Sequence, residues 1–111
     1  MEYRRTIFCS TSFVAIHHWH GAQPPVEYLR DKHRHLFKVQ VRAVVQHNDR
    51  DIEFITLKEM VERHCFEQWH GRDIGQMSCE AIAQEILEAF PELESCTVSE
   101  DGENGATLAR V

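Results

Sequence analysis

From His33 to His47 the chain alternates in strict period two, with Phe37, Val39, Val41, Ala43 and Val45 on one side and Lys38, Gln40, Arg42 and Gln46 on the other. Only an extended strand sends successive side chains to opposite faces, so this segment is a half-buried strand with one apolar and one wet face. Everything else in the chain has to supply its partners and the layer that covers its apolar side.

Tyr3 to Ile16 is rich in Thr, Ile, Phe and Val without helical spacing, and its Ile7, Cys9, Phe13 and Ala15 oppose Phe8, Ser10, Ser12 and Val14, which predicts a first strand. Gly21 to Lys32, with Pro24-Pro25, reads as a loop. A capping box, Thr56-Leu57-Lys58-Glu59, is expected to open a helix whose Leu57, Met60, Val61, Cys65 and Trp69 recur at helical spacing to about Trp69. Ser78 is a good N-cap for a second helix, striped by Ile82, Ile86, Leu87 and Phe90 and stopped by Pro91. Cys96 to Ser99 and Ala106 to Val111 read as two short strands joined by a turn over Asp101 to Gly105. The order ββααββ predicts an α+β fold, a four-stranded antiparallel sheet with both helices on one face.

At 111 residues the chain is expected to be one domain, since residues 1–111 contain no linker, repeat or low-complexity stretch. No apolar run approaches the ~20 residues of a membrane span, and the start lacks an apolar signal core, so the expectation is a cytoplasmic protein without membrane contact. Cys9, Cys65, Cys79 and Cys96 are scattered with no C-x-x-C pair, which suits reduced thiols. A net charge of −6 argues against nucleic acid as a partner, because phosphate binding requires clustered Lys and Arg.

The eight histidines are the unusual number. His33 and His35 are two apart on the strand, so both rings share the face that continues as Phe37, Val39 and Val41. The pair admits two readings. One is two partly exposed strand histidines with ordinary roles. The other is a metal site, which satisfies two imidazoles crowded on an apolar face at once. A third ligand is then required, and His17 at the end of the first strand is the candidate. Three histidines leave zinc (Zn2+) an open position, as catalytic sites require. His18 should face away from His17, and His20 could approach as a fourth ligand or lie outside the site. His47 and His64 are expected in solvent.

Phe13-Val14-Ala15-Ile16-His17 and His33-Arg34-His35-Leu36-Phe37 resemble the zinc motifs F-x-A-x-H and H-G-H-x-Y/F of the 6-pyruvoyl-tetrahydropterin synthase and 6-carboxy-tetrahydropterin synthase family, the latter from queuosine biosynthesis. Ile52-Glu53-Phe54, Met77-Ser78-Cys79-Glu80-Ala81-Ile82-Ala83 and Val98-Ser99-Glu100 are similar to further family segments, in the same order, from about Phe13 to about Leu108. The resemblance implies a T-fold subunit that oligomerises into a barrel, usually a hexamer, with sites between subunits. It implies zinc, a pterin or purine-like small-molecule ligand, and lyase chemistry on a substrate such as dihydroneopterin triphosphate, with a cysteine base assisted by an Asp-His pair and a glutamate that anchors the ring.

This sequence departs from the pattern in places. The family cysteine falls on Leu29, the glycine of H-G-H is Arg34, and Trp69-His70 carries an indole where the carboxylate stands. Asp73 is a stand-in for that carboxylate, and His70 retains a proton-transfer role by analogy. Cys79, just after an N-cap, would have its thiol pKa lowered by the helix dipole and could replace the missing base, or it is a small buried residue. Ser78 beside it is a candidate substrate contact. Glu100 shares a face with Cys96 and Val98, so its carboxylate points inward, either to accept two ring N–H groups or to pair with Arg110 or Arg50. Because it comes from a different strand, its ring-binding role is expected to be separable from the metal. The alternative function is a zinc-containing module that binds a pterin or nucleotide without turning it over.

Overall fold

In the computed structural model, which describes residues 2–111, the chain runs β1 (Arg5–His17), a short 3-10 helix (Glu27–Arg30), β2 (His33–Val45), α1 (Phe54–Gln68), α2 (Cys79–Ala89), β3 (Leu93–Glu100) and β4 (Asn104–Ala109). The four strands form one antiparallel sheet in sequential order. Odd-numbered residues of β1 and β2 face inward, and Phe13, Ala15, Phe37, Val39 and Val41 are buried there. Leu57, Val61 and Cys65 of α1 and Ile82, Ala83, Ile86 and Leu87 of α2 close over the same face to make one core with Cys96 and Val98 of β3. The α+β arrangement read from the sequence is therefore the observed one. None of the helices among the described residues is long and apolar enough to cross a membrane.

Boundaries shift where local hydrogen bonds outcompete the pattern. The first strand extends through His17, one residue beyond the expected end, because residues 71–75 lie along its free edge. Val14 O accepts from Gly71 N–H at 2.6 Å, Ile16 N–H donates to Arg72 O at 3.0 Å, and Ile16 O accepts from Ile74 N–H at 2.8 Å. β2 stops at Val45 rather than His47, since the Gln46 N–H turns away to the Asp51 carboxylate at 2.8 Å. α1 starts at Phe54, two residues before the expected capping box. Glu53 is its N-cap, accepting from Ile55 N–H at 2.7 Å and Thr56 N–H at 3.0 Å, so Thr56 lies inside the first turn.

β3 begins three residues earlier than read, at Leu93, and Ser78 caps α2 as expected, accepting from Ala81 N–H at 3.1 Å. The β3–β4 turn places Asp101 (φ 58) and Gly102 (φ 78) in the left-handed region, the signature of a primed hairpin turn. A Cβ on Gly105 would lie 2.2 Å from Val98 O, so the pairing of β3 with β4 requires glycine at that point. His64, expected in solvent, is instead half-buried on α1, its ring edge-on to Trp69 and Phe90.

Candidate metal centre

The β1–β2 register places His17 directly opposite His33, and the β2–β3 register places Phe37 opposite Glu100. His17, His33, His35 and Glu100 therefore meet on the inward face at one end of the sheet, beside the N-terminus of α2. The imidazole centroids are 4.5 Å (His17 to His33), 5.3 Å (His17 to His35) and 5.0 Å (His33 to His35) apart. One ligand atom from each histidine and one Glu100 oxygen all lie within 4.8 Å of one another. Phe37 forms the floor, edge-on to His17 and His35.

Each ring is oriented from behind by its Nδ1. His17 Nδ1 lies 2.9 Å from Met77 O, His33 Nδ1 lies 2.8 Å from Asp31 O, and His35 Nδ1 lies 2.7 Å from Asp101 Oδ2. A carbonyl or carboxylate oxygen can only accept, so each Nδ1 carries a proton, and in the neutral ring each Nε2 then presents a lone pair. Asp101 is itself fixed by accepting the Leu36 N–H at 3.0 Å, and these two donors, the His35 ring first, hold its carboxyl below the usual range. Carbonyl and carboxylate partners on the outer ring nitrogens are the arrangement that orients metal-ligating histidines.

His17 is 8% exposed, and its Nε2 is buried with no hydrogen bond although Glu100 Oε2 is 3.1 Å away. In the neutral ring a lone pair would face a carboxylate oxygen at that distance, which is repulsive unless a proton or a metal cation lies between them. Three imidazole nitrogens with a carboxylate suit zinc and neighbouring first-row divalent ions, so the residues present fit the metal that the motifs imply.

A cavity of about 460 Å3 opens beside this cluster, bordered by His17, His33, Leu29, Ser78, Cys79 and Glu100. Leu29 reaches it because the Trp19 N–H donates to Leu29 O at 2.7 Å, pinning the 3-10 helix to the end of β1. Cys79 does not have the lowered pKa expected from the helix dipole: burial first, then Glu100 and Glu80, push its thiol up to about 11. The dipole is outweighed because a thiolate there would be desolvated beside two carboxylates.

The other residues singled out from the sequence lie apart. His70 Nδ1 accepts the Val14 N–H at 3.1 Å on the edge of β1, and its ring stacks on Phe66. Asp73 pairs with Lys32 Nζ at 2.8 Å and accepts the Gly75 N–H, two contacts that hold its carboxyl below the usual range. His18 borders the cavity and packs against His20, and neither belongs to the metal cluster. Arg110 is spent on the carbonyls of Leu87, Phe90 and Leu93, and Arg50 on Asp49, so neither offers Glu100 an ion pair. Asp101 and the carbonyls of Asp31 and Met77 were not found from the sequence. The only signal for Asp101 was its place next to Glu100 in an Asp-Gly turn.

No protein-family model matches the sequence, and no curated protein matches it either. Solved structures do. The chain is similar to the 6-pyruvoyl tetrahydropterin synthase of Caenorhabditis elegans at a TM-score of 0.76 and 14% identity, covering 98% of this chain and 97% of that one. It is similar to a protein of Wolinella succinogenes described as uncharacterised, at 0.82 and 14% identity, covering 99% and 100%. It is also similar to a Plasmodium vivax 6-pyruvoyltetrahydropterin synthase carrying a changed catalytic residue, at 0.68 and 16% identity, covering 98% and 99%. Identities this low establish architecture, and the architecture agrees with the motifs around His17, His33 and His35: the chain has the T-fold of the 6-pyruvoyl tetrahydropterin synthases.

Proposed function

We propose that the protein is a zinc-dependent lyase or synthase of the 6-pyruvoyl/6-carboxy-tetrahydropterin synthase type, acting on a reduced pterin or a 7-deazaguanine precursor such as dihydroneopterin triphosphate. The observation that carries this reading is the convergence of three Nε2 lone pairs and one carboxylate at the wall of a cavity of about 460 Å3, on the fold of two proteins that are themselves named 6-pyruvoyl tetrahydropterin synthases.

His17, His33 and His35 would hold the zinc, which when bound supplies a Lewis acid that polarises and acidifies a substrate oxygen. Glu100 offers two acceptor oxygens to adjacent N–H groups on a pterin or guanine edge. Ser78 accepts from Ala81 N–H and keeps its own hydroxyl proton to donate into the cavity. A Cys79 thiol with a pKa near 11 stays protonated at neutral pH, so it serves as a proton donor rather than a base. His70 and Asp73, bound to the outer edge of β1 and to Lys32, would enter the chemistry only from a neighbouring subunit.

Leu29 on the cavity wall favours one second reading. With an aliphatic side chain where the family cysteine stands, and with Cys79 held protonated, the site could bind a heterocycle and return it unchanged. Incubation of the zinc-loaded protein with dihydroneopterin triphosphate, followed by mass spectrometry, decides. A lyase releases a product altered in its side chain or stripped of triphosphate, a sequestering module returns the ligand intact, and failure to bind contradicts both.

A further inference from the structure

The carboxylate of Glu100 borders the cavity and lies against the histidines of the cluster. Its Oε2 lies 3.1 Å from His17 Nε2 and its Oε1 lies 3.7 Å from His35 Nε2. Tetrahedral zinc with bonds of about 2.0–2.1 Å sets its ligand atoms roughly 3.3 Å apart. The two observed separations, one from each oxygen, bracket that spacing, and one carboxylate oxygen lies within 4.8 Å of a ligand atom of each histidine, so the carboxylate is within reach of a metal held there. No Lys or Arg pairs with Glu100 among the described residues, and neither oxygen makes a hydrogen bond with His17 Nε2. Among the described residues the groups that can complement this carboxylate, which is 31% exposed, are His17 and His35, either protonated or through an ion that they hold.

We infer that Glu100 is a displaceable fourth protein ligand: it closes the metal when the cavity is empty, and a heterocycle that takes its carboxylate opens a coordination position. Ring recognition and metal opening are then one event. This rests on the proposed heterocycle site for its second half only. The first half is a statement about four side chains and a metal.

The exchange would be a side-chain movement, since the Glu100 backbone is paired with Phe37 and Asn104 in the sheet. Glu100 ends β3, and the next residues form the left-handed Asp101-Gly102 turn, in which Asp101 holds the ring of His35. The ligand that moves is thus joined to a residue that stays. A closed four-ligand site also protects the metal from adventitious anions while the cavity is empty, and a substrate lacking the ring edge would leave it closed.

Cobalt(II) replaces zinc and reports its coordination by visible absorption. In the wild-type protein loaded with cobalt alone, added thiocyanate should leave the spectrum unchanged. In Glu100→Gln, and independently in Glu100→Ala, thiocyanate should shift it, and zinc affinity measured against a chelating dye should fall at least tenfold while three histidines still bind the metal. A thiocyanate shift in wild type equal to that in the variants, or unchanged zinc affinity in both variants, overturns the ligation. Dihydroneopterin added to wild-type cobalt protein should make it as thiocyanate-sensitive as Glu100→Gln. Binding of dihydroneopterin with thiocyanate still excluded overturns the exchange. A closed cobalt site in a protein that binds no dihydroneopterin upholds the ligation and contradicts the functional reading instead.

Discussion

The imidazole of His35 is aimed by a residue 66 positions later in the chain, and that dependence makes Asp101 a sensitive point. Asp101 accepts from the His35 ring and from Leu36 N–H, and an asparagine there keeps the shape while removing the charge that favours a metal-bound imidazole. Loss of a partner behind a metal ligand lowers metal affinity by about ten- to a hundredfold. Asp101→Asn should therefore weaken zinc binding by that much with its circular dichroism unchanged, as competition with a chelating dye would show. Equal affinities would make the contact incidental. His33 and His35 were legible in the sequence because a strand's period is local: two apart means one face. Asp101 was not, because its reach to His35 depends on the pairing of β2 with β3 and on a turn whose left-handed φ places the carboxylate back over Leu36. Glu100 was legible as inward-facing, and its approach to His17 and His35 was not, because it depends on the register of β2 against β3.

Among the elements, α1 shows how a carboxylate can set a boundary that pattern reading places elsewhere. Thr56-Leu57-Lys58-Glu59 fits a capping box, yet Glu53 reaches the free N–H groups of Ile55 and Thr56 first, and Thr56 spends its hydroxyl on Glu53 as well. Those bonds, the Ile55 N–H foremost, hold the Glu53 carboxyl below its ordinary value of 4.5. A depressed folded pKa contributes stability that is present above the unfolded value and is lost as pH falls through the folded one. Glu53→Gln should therefore melt below wild type at pH 7, and the gap should shrink as pH falls below the ordinary carboxylate range. A gap independent of pH would mean the charge contributes nothing to the cap. The helices and β2 could be read because apolar spacing reports them directly. The segment 71–75 could not, since its backbone bonds to the edge of β1 leave no apolar period, and that segment, together with Met77 O, fixes where His17 points.

On the scale of the whole molecule, the sheet is left incomplete by one chain. β1 and β4 each lack a strand partner on their outer side among the described residues, apart from the segment that covers the His17 end of β1. The face turned away from the helices exposes Phe8, Ile16 and Leu36. Unpaired edges beside an apolar face favour association, and the family resemblance implies closure into a barrel. Light scattering should find more than one subunit per particle, and a monomer at micromolar concentration would remove any site built between subunits. The proposed zinc site needs only one chain, in which three histidine rings, each fixed by an acceptor behind it, bring their Nε2 atoms together. Elemental analysis of tag-free protein purified without added metal tests this most directly. About one zinc per chain is the predicted result, lost in His33→Ala and retained in His18→Ala. A wild type without stoichiometric metal, or a His33→Ala variant that keeps its full complement, would contradict it.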